Sequence, residues 1–269
     1  MTHMIYVVPS LKAKEKLQCE GKAWAESQGF TYVPRGKRTI QDLMDEYGED
    51  FLVYSSRGPQ IDRPEGSHFF SLNMAELRIQ NLRKGQRDHL LEALMGRGSS
   101  KLPITVLDCT CGFGADAAVA SFGLPTGSRV DALEVSPLLE AVTSWGFSHF
   151  VHKKDDVTAA LRRISLRHGD YRDYLLSDEG PVYDVLYFDP MFQRPVEASC
   201  QFQPVRAIME HGGLTRDLIE RALQKARRRV VIKERDFRQL CRDFPKVTLY
   251  GGKYSRIGYA VLECDSWKK

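Results

Sequence analysis

Between Val182 and Phe188 the chain runs through an almost unbroken apolar and aromatic stretch, then stops at Asp189-Pro190. A strand with apolar side chains on both faces must be covered on both faces, the condition of an inner strand in a parallel sheet flanked by helices. The rest of the second half supplies the partners. Pro103 to Leu107 is strand-like and leads through a glycine-rich turn into a helix reaching about Ser121. Arg129 to Leu133 leads into a helix from about Pro137 to Phe150, Ile164 to Arg167 is short and β-like, and a helix over Leu214 to Ala226 precedes a strand at Arg229 to Ile232. Strands alternating with helices predict a doubly wound α/β sheet of Rossmann-like type. Val247 to Tyr250 and Gly258 to Glu263, on either side of Gly251-Gly252, are expected to close it as an antiparallel pair.

The polar, flexible stretch from Gly96 to Lys101 marks a seam. It predicts a small N-terminal α/β subdomain over residues 1–98 and a catalytic domain over 99–269. In the first part, Ile5 to Val8, Phe30 to Val33 and Phe51 to Ser55 read as strands. Leu11 to Ser27 reads as a helix, and Thr39 stands where it can cap another over Ile40 to Tyr47. Pro59 to Gly66 reads as a turn-rich loop. Ser71 or Asn73 is placed to cap one long helix from Met74 to Met95.

Several function classes are excluded early. No apolar run is long enough to span a bilayer, and Met1 to Ser10 lacks the basic head and long apolar stretch of a signal peptide. The six cysteines are scattered, without a disulfide framework or paired zinc knuckles, and the histidines lack metal-binding spacing, so a cytoplasmic, metal-free protein is expected. The formal net charge of +4 is compatible with a nucleic-acid partner without requiring one.

The turn after the first strand of the second half reads Asp108-Cys109-Thr110-Cys111-Gly112-Phe113-Gly114-Ala115-Asp116. Gly112 and Gly114 let backbone approach a ligand where a Cβ would collide, and the helix that follows offers unpaired N–H groups. A dinucleotide fingerprint would want a third glycine, and acidic residues beside the loop would repel a pyrophosphate. They suit a cofactor carrying a positive amino group and a sulfonium. Glu134, about twenty residues beyond the glycines at the end of the next strand, stands where a carboxylate accepts hydrogen bonds from a ribose diol, with Val135 beside it. Gly169 and Asp170 follow the third strand; Asp170 can accept from an adenine amino group or cap the next helix. The D/E-x-x-x-G-x-G spacing resembles the first motif of class I methyltransferases. That resemblance implies S-adenosylmethionine as cofactor, S-adenosylhomocysteine as product, and a sheet closed by an antiparallel pair, unlike the dehydrogenase sheet.

Asp189-Pro190-Met191-Phe192 resembles the D/N-P-P-Y/F/W motif of enzymes that methylate exocyclic amines of bases. Such an amine is a poor nucleophile because its lone pair is delocalised into the ring. A carboxylate that accepts an N–H hydrogen bond returns density to nitrogen and aims it at the methyl donor. Asp189 takes that role and Phe192 stacks on an extruded base. Asp189 can equally face the methionine end of the cofactor. Transfer is expected to be direct, with catalysis by positioning and electrostatics.

The cofactor turn, Asp-Pro-Met-Phe and the strand ending Val-Val-x-Lys together resemble the ribosomal RNA small subunit methyltransferase J family, from Ser71 to near Asp236. Members methylate the N2 amine of a guanine in small-subunit ribosomal RNA. The resemblance implies cofactor contacts at Ala115 and Asp116, Glu134 and Val135, Gly169 and Asp170, and Asp189, with ribosomal RNA or the small subunit as partner. Ala115 replaces the family's basic residue and Gln193 to Glu197 is less basic, the mark of a diverged branch. Arg78, Arg83 and Lys84 share a helical stretch that either grips phosphates or is a solvated face, and Lys233, at its strand end, is a candidate substrate contact. Arg35, Lys37 and Arg38 form a basic loop with the same two readings. Beside an RNA base methyltransferase stand a methyltransferase of a small molecule or protein, and a non-catalytic RNA-binding protein on the same fold.

Overall fold

The computed structural model describes residues 4–96, 102–190, 213–251 and 257–267. The chain divides into two compact units. The first runs to Ser71 and takes in Ser136–Phe150; the second begins at Leu72. The division therefore falls at Ser71–Leu72, ahead of the polar stretch near residue 98, because the segment between them packs with the second unit's own elements.

The first unit holds β1 (Tyr6–Pro9), α1 (Glu15–Ser27), β2 (Thr31–Tyr32), α2 (Ile40–Tyr47), β3 (Phe51–Ser55), β4 (Gly58–Arg63) and β5 (Gly66–Phe69). They form a sheet in the order β2-β1-β3-β4-β5, parallel across β2-β1-β3 and antiparallel beyond. Thr39 caps α2 in a reciprocal capping box with Asp42, as its position implied. The predicted loop over Pro59 to Gly66 is instead the buried strand β4. Gly58 and Pro59 pair with Ser55 and Tyr54 of β3 beside the hairpin turn, while Gln60, Ile61 and Asp62 pair with β5. Residues 137–149 pack against β4, and a Cβ on Gly146 would lie 1.9 Å from the Phe70 ring.

The second unit opens with α3 (Asn73–Arg83) and α4 (His89–Met95), two helices where one was expected. Gly85 turns the chain at φ 76°, which a side chain strongly disfavours, and Asp88 caps α4 by accepting from the Leu90 and Leu91 amides. Neither Ser71 nor Asn73 caps α3, whose N-cap is Leu72 without a side-chain bond. There follow β6 (Thr105–Asp108), α5 (Ala115–Gly123), β7 (Arg129–Glu134), α6 (Pro137–His149, counted with the first unit), α7 (Asp155–Leu161), β8 (Ile164–His168), α8 (Tyr171–Leu176), β9 (Val185–Phe188), α9 (Arg216–Lys225), β10 (Arg229–Glu234), α10 (Arg238–Asp243), β11 (Thr248–Gly251) and β12 (Gly258–Glu263). The sheet order is β11-β12-β10-β9-β6-β7-β8. The strands from β10 to β8 are parallel, and β12 runs against both its neighbours. This is the Rossmann-like class I methyltransferase sheet, antiparallel closure included.

The apolar run is β9, buried throughout, with Leu186 and Phe188 fully enclosed beside Leu107, Val230 and Leu262. It starts at Val185 because the Asp184 carboxylate instead accepts from the Thr105 amide and hydroxyl, pinning the foot of β9 to β6. Ile232 lies opposite Phe188, so the residues that follow each of them, Lys233 and Asp189, emerge level with one another at the carboxyl edge. Among the described residues, no helix is long and apolar enough to cross a membrane.

Candidate active site

Ligands enter open α/β sheets at the carboxyl ends of the strands, where the strand order reverses. Here that point lies between β6 and β9. Asp108 ends β6, and Asp189 follows β9. The turn from Asp108 into α5 is held from several sides. The Asp108 carboxylate accepts from the Thr110 amide at 3.0 Å, and the Cys109 and Cys111 amides donate to the Tyr187 and Leu133 carbonyls. Gly112 and Gly114 both have positive φ, 54° and 75°, so a side chain at either would strain the turn. The Gly112 amide donates to Glu134 Oε2 at 2.8 Å, which fixes the buried Glu134 beside the loop. Across the sheet, the Asp189 amide donates to Thr110 Oγ1 at 2.6 Å. The cofactor turn and the Asp-Pro turn are thus one hydrogen-bonded construction.

A line of alternating charges runs beneath it. Arg78, on α3, meets Asp88 through two 2.8 Å bonds and Asp116 through a third. Asp116, in the first turn of α5, also accepts from the Tyr187 hydroxyl at 2.7 Å and from Lys233 Nζ at 2.8 Å. Lys233 reaches on to Asp189 Oδ2 at 2.7 Å. In order, the line is Asp88, Arg78, Asp116, Lys233, Asp189, with Asp108 nearby.

Two carboxylates share one ammonium, and they share it unequally. Burial alone would raise Asp116, but Lys233, Arg78 and the Lys233 and Tyr187 hydrogen bonds outweigh it and hold the group far below the usual carboxylate range. At Asp189 burial prevails: Lys233 pulls down, Asp116 pushes up, and the carboxyl comes to about 6. Burial would lower Lys233, yet Asp116 and Asp189 keep it above the ordinary lysine value. Asp108 is raised well above a normal aspartate by burial, against the Thr110 amide and with repulsion from Asp116 and Asp189. A cation set among these carboxylates would lower the cost of ionising them.

This geometry revises several expectations. Arg78 is no phosphate grip: its guanidinium is committed to Asp88 and Asp116. Lys233 is likewise paired within the protein. The Asp116 carboxylate is occupied by three donors, which leaves the backbone at Ala115 and Asp116, in the first turn of α5, as the part of this pair suited to a ligand. Asp170 caps α8 through the Arg172 amide and is gripped by the Arg172 side chain, the capping alternative. The Gly169 amide donates to the Glu134 carbonyl, and the Val135 carbonyl lies 3.0 Å from His168 Nε2. Arg83 pairs with Asp156 on the surface, and Lys84 is exposed at the end of α3. Phe192 lies outside the described residues. Tyr187 and Thr110 were not anticipated; the first reads as core and the second as part of a turn.

The family model SAM_MT, for SAM-dependent methyltransferases, matches residues 67–257, well over half of the chain. The chain belongs to the SAM-dependent methyltransferase family. Its cofactor is S-adenosylmethionine, and the carboxylate-lined, glycine-cradled carboxyl edge of this methyltransferase fits a ligand with a sulfonium and an ammonium group. Among similar proteins, YpiP of Bacillus subtilis, which is uncharacterised, is 29% identical over 230 residues, 85% of this chain and 88% of that one. Ribosomal RNA small subunit methyltransferase J of Marinobacter nauticus is 28% identical, covering 71% of this chain and 66% of its own length. The protein of that name from Dechloromonas aromatica is also 28% identical, covering 71% and 76%. Such identities make this methyltransferase a diverged relative of the J proteins. A crystal structure of a SAM-dependent methyltransferase from Neisseria gonorrhoeae shares the fold, with a TM-score of 0.64 over 98% of this chain and 99% of that one at 18% identity.

Proposed function

We propose that this methyltransferase modifies an exocyclic amine of an RNA base, with guanine N2 of small-subunit ribosomal RNA as the substrate. The observation that carries the reading is the tie between Asp189 and the cofactor turn, through Thr110. It fixes a carboxylate at the strand end beside the turn that holds the methyl donor. Relatives named ribosomal RNA small subunit methyltransferase J support the choice of RNA.

S-adenosylmethionine, when bound, supplies an electrophilic methyl group. The protein's share is positioning. Glu134 accepts from the ribose diol, the first turn of α5 and Gly112 and Gly114 provide close backbone, and Asp108 complements the cofactor's positive end. Asp189 accepts an N–H bond from the amine, drawing density onto nitrogen without becoming covalently attached. Lys233, fixed by Asp116, holds Asp189 in place and favours its ionised form.

Transfer of labelled methyl groups to small-subunit ribosomal RNA from cells lacking the protein, followed by nucleoside analysis, tests this directly. N2-methylguanosine is the expected product. A different methylated nucleoside would correct the base, and label appearing only in protein or a small molecule would overturn the reading.

The cofactor half has its own check. Glu134→Ala removes an acceptor for two hydroxyls, each hydrogen bond contributing about 0.5–1.5 kcal/mol. Calorimetric titration with S-adenosylhomocysteine should show affinity weakened by about tenfold or more. An unchanged dissociation constant would put the ribose elsewhere.

A further inference from the structure

The first unit has a polarised sheet. Because β2, β1 and β3 are parallel, the loops that leave them lie at one edge. The Ser10 amide still donates to the Tyr54 carbonyl there, and the Val33 amide to the Val7 carbonyl. These loops, 10–14, 34–39 and 55–58, contain Lys12, Lys14, Arg35, Lys37, Arg38 and Arg57 and no acidic residue. The loop entering β3 at the opposite edge carries Glu49 and Asp50.

The six cations divide by task. Arg35 and Arg38 bind each other's carbonyls, and Arg38 also holds Tyr47, Glu46 and the Pro34 carbonyl. They make the loop rigid. Lys12, Lys14, Lys37 and Arg57 are exposed. The N-terminus of α1 opens on the same edge without a side-chain cap, adding donor groups and a positive dipole end that Glu15, exposed in the first turn, offsets in part. Aromatic rings lie among the charges. The Arg57 guanidinium stacks 3.7 Å from the Phe69 ring centre. A Cβ on Gly58, in the turn between β3 and β4, would be 2.5 Å from the Trp145 ring. Trp145 is therefore laid against that turn, and the exposed His149 stacks on it with centroids 5.0 Å apart and planes 9° from parallel.

We infer that this edge of the first unit is a binding surface for single-stranded RNA, with Lys12, Lys37 and Arg57 on phosphates and the His149–Trp145 stack as a platform for an unpaired base. The inference rests on the RNA reading of the reaction and deepens it by giving the first unit a task. Planar rings set among cations favour RNA over an acidic protein or a lipid surface, because stacking on a base rewards a flat exposed face while phosphates reward the charge. The family model begins at residue 67, so the cationic loops of this surface lie outside it, while Trp145 and His149 lie within it.

The test is fluorescence anisotropy of the full chain with a short labelled single-stranded oligoribonucleotide, in the presence of S-adenosylhomocysteine. A triple variant, Lys12→Ala with Lys37→Ala and Arg57→Ala, should bind at least about tenfold more weakly at 50 mM salt, and its log–log salt slope should be shallower by about 2, the value for three lost contacts to a single strand. His149→Ala should weaken single-stranded binding and leave binding to a duplex of equal length unchanged. All four side chains are exposed, and cofactor titration checks that each variant remains folded. Wild-type affinity and slope in the triple variant would overturn the inference, as would binding of the wild type to anionic vesicles but not RNA. Parallel methyl-transfer assays separate the two proposals. RNA bound through this edge but never methylated sinks the reaction and leaves the surface standing. RNA methylated equally well by the triple variant, with unchanged binding, does the reverse.

Discussion

Asp189→Ala is expected to reduce methyl transfer to RNA by about a thousandfold or more while leaving cofactor affinity within a few fold, the scale on which removing one preorganised group at the reacting atoms acts. The side chain is half-buried at a strand end and its backbone amide, which binds Thr110, survives the change, so the turn should hold. Asp189→Asn is the sharper comparison. It keeps the shape and loses the charge, and its amide nitrogen offers a donor where the amine needs an acceptor. Both variants should fail alike if the carboxylate orients the amine. Retained turnover in either would remove Asp189 from the chemistry. The ionised form is required, so kcat/KM of the wild type, which reports the free enzyme, should fall as pH drops through about 6. The limb in kcat should lie lower, because a bound cationic cofactor favours the carboxylate.

Lys233→Met should have the second-largest effect, and its signature is a larger loss of stability as pH rises. In the wild type Asp116 is held below its unfolded value, so its contribution to stability is present above about pH 4 and is lost only as pH falls further, while Asp189, raised to about 6, costs some stability as pH rises from about 4 to 6. Without the ammonium, Asp116 and Asp189 face each other with Arg78 alone to offset them. The Asp189 pKa then rises, and the stability present at low pH is lost as pH rises through the folded value. Removing one partner of a buried ion pair costs about 3–5 kcal/mol, so thermal unfolding at pH 8 should drop sharply and recover in part at pH 5. The acidic limb of kcat/KM should move upward by about 1–3 units, the usual effect of losing an opposite charge in contact. Lys233→Arg, which keeps the charge, should restore most of the stability even if the longer fork displaces Asp189. A limb that stays near 6 in the methionine variant would mean that Lys233 does not govern Asp189.

Much of this protein follows from local sequence. The double-faced apolar run at Val185–Phe188 can only be an inner strand, and the alternation around it leaves little choice of architecture. The glycines at 112 and 114 specify the turn because few other residues tolerate its dihedral angles, and Glu134 stands at a spacing set by one strand–helix–strand repeat. Two elements depart from the local pattern through single residues. Gly85 and Asp88 break and restart what looks like one amphipathic helix, and β4 pairs with both β3 and β5 although Pro59, near its start, has no N–H to donate. The charge line lay out of reach altogether. Arg78 and Asp116 are 38 residues apart, Tyr187 and Asp116 71, Lys233 and Asp116 117, and no periodicity links them. What brings them together is strand register, Ile232 opposite Phe188, and the packing of α3 on α5. Hydrophobic pattern is a short-range signal because each element satisfies its backbone locally. A buried charge instead takes whatever partner the finished fold presents, so the tertiary structure alone turned Arg78 and Lys233 from substrate grips into supports for Asp116 and Asp189.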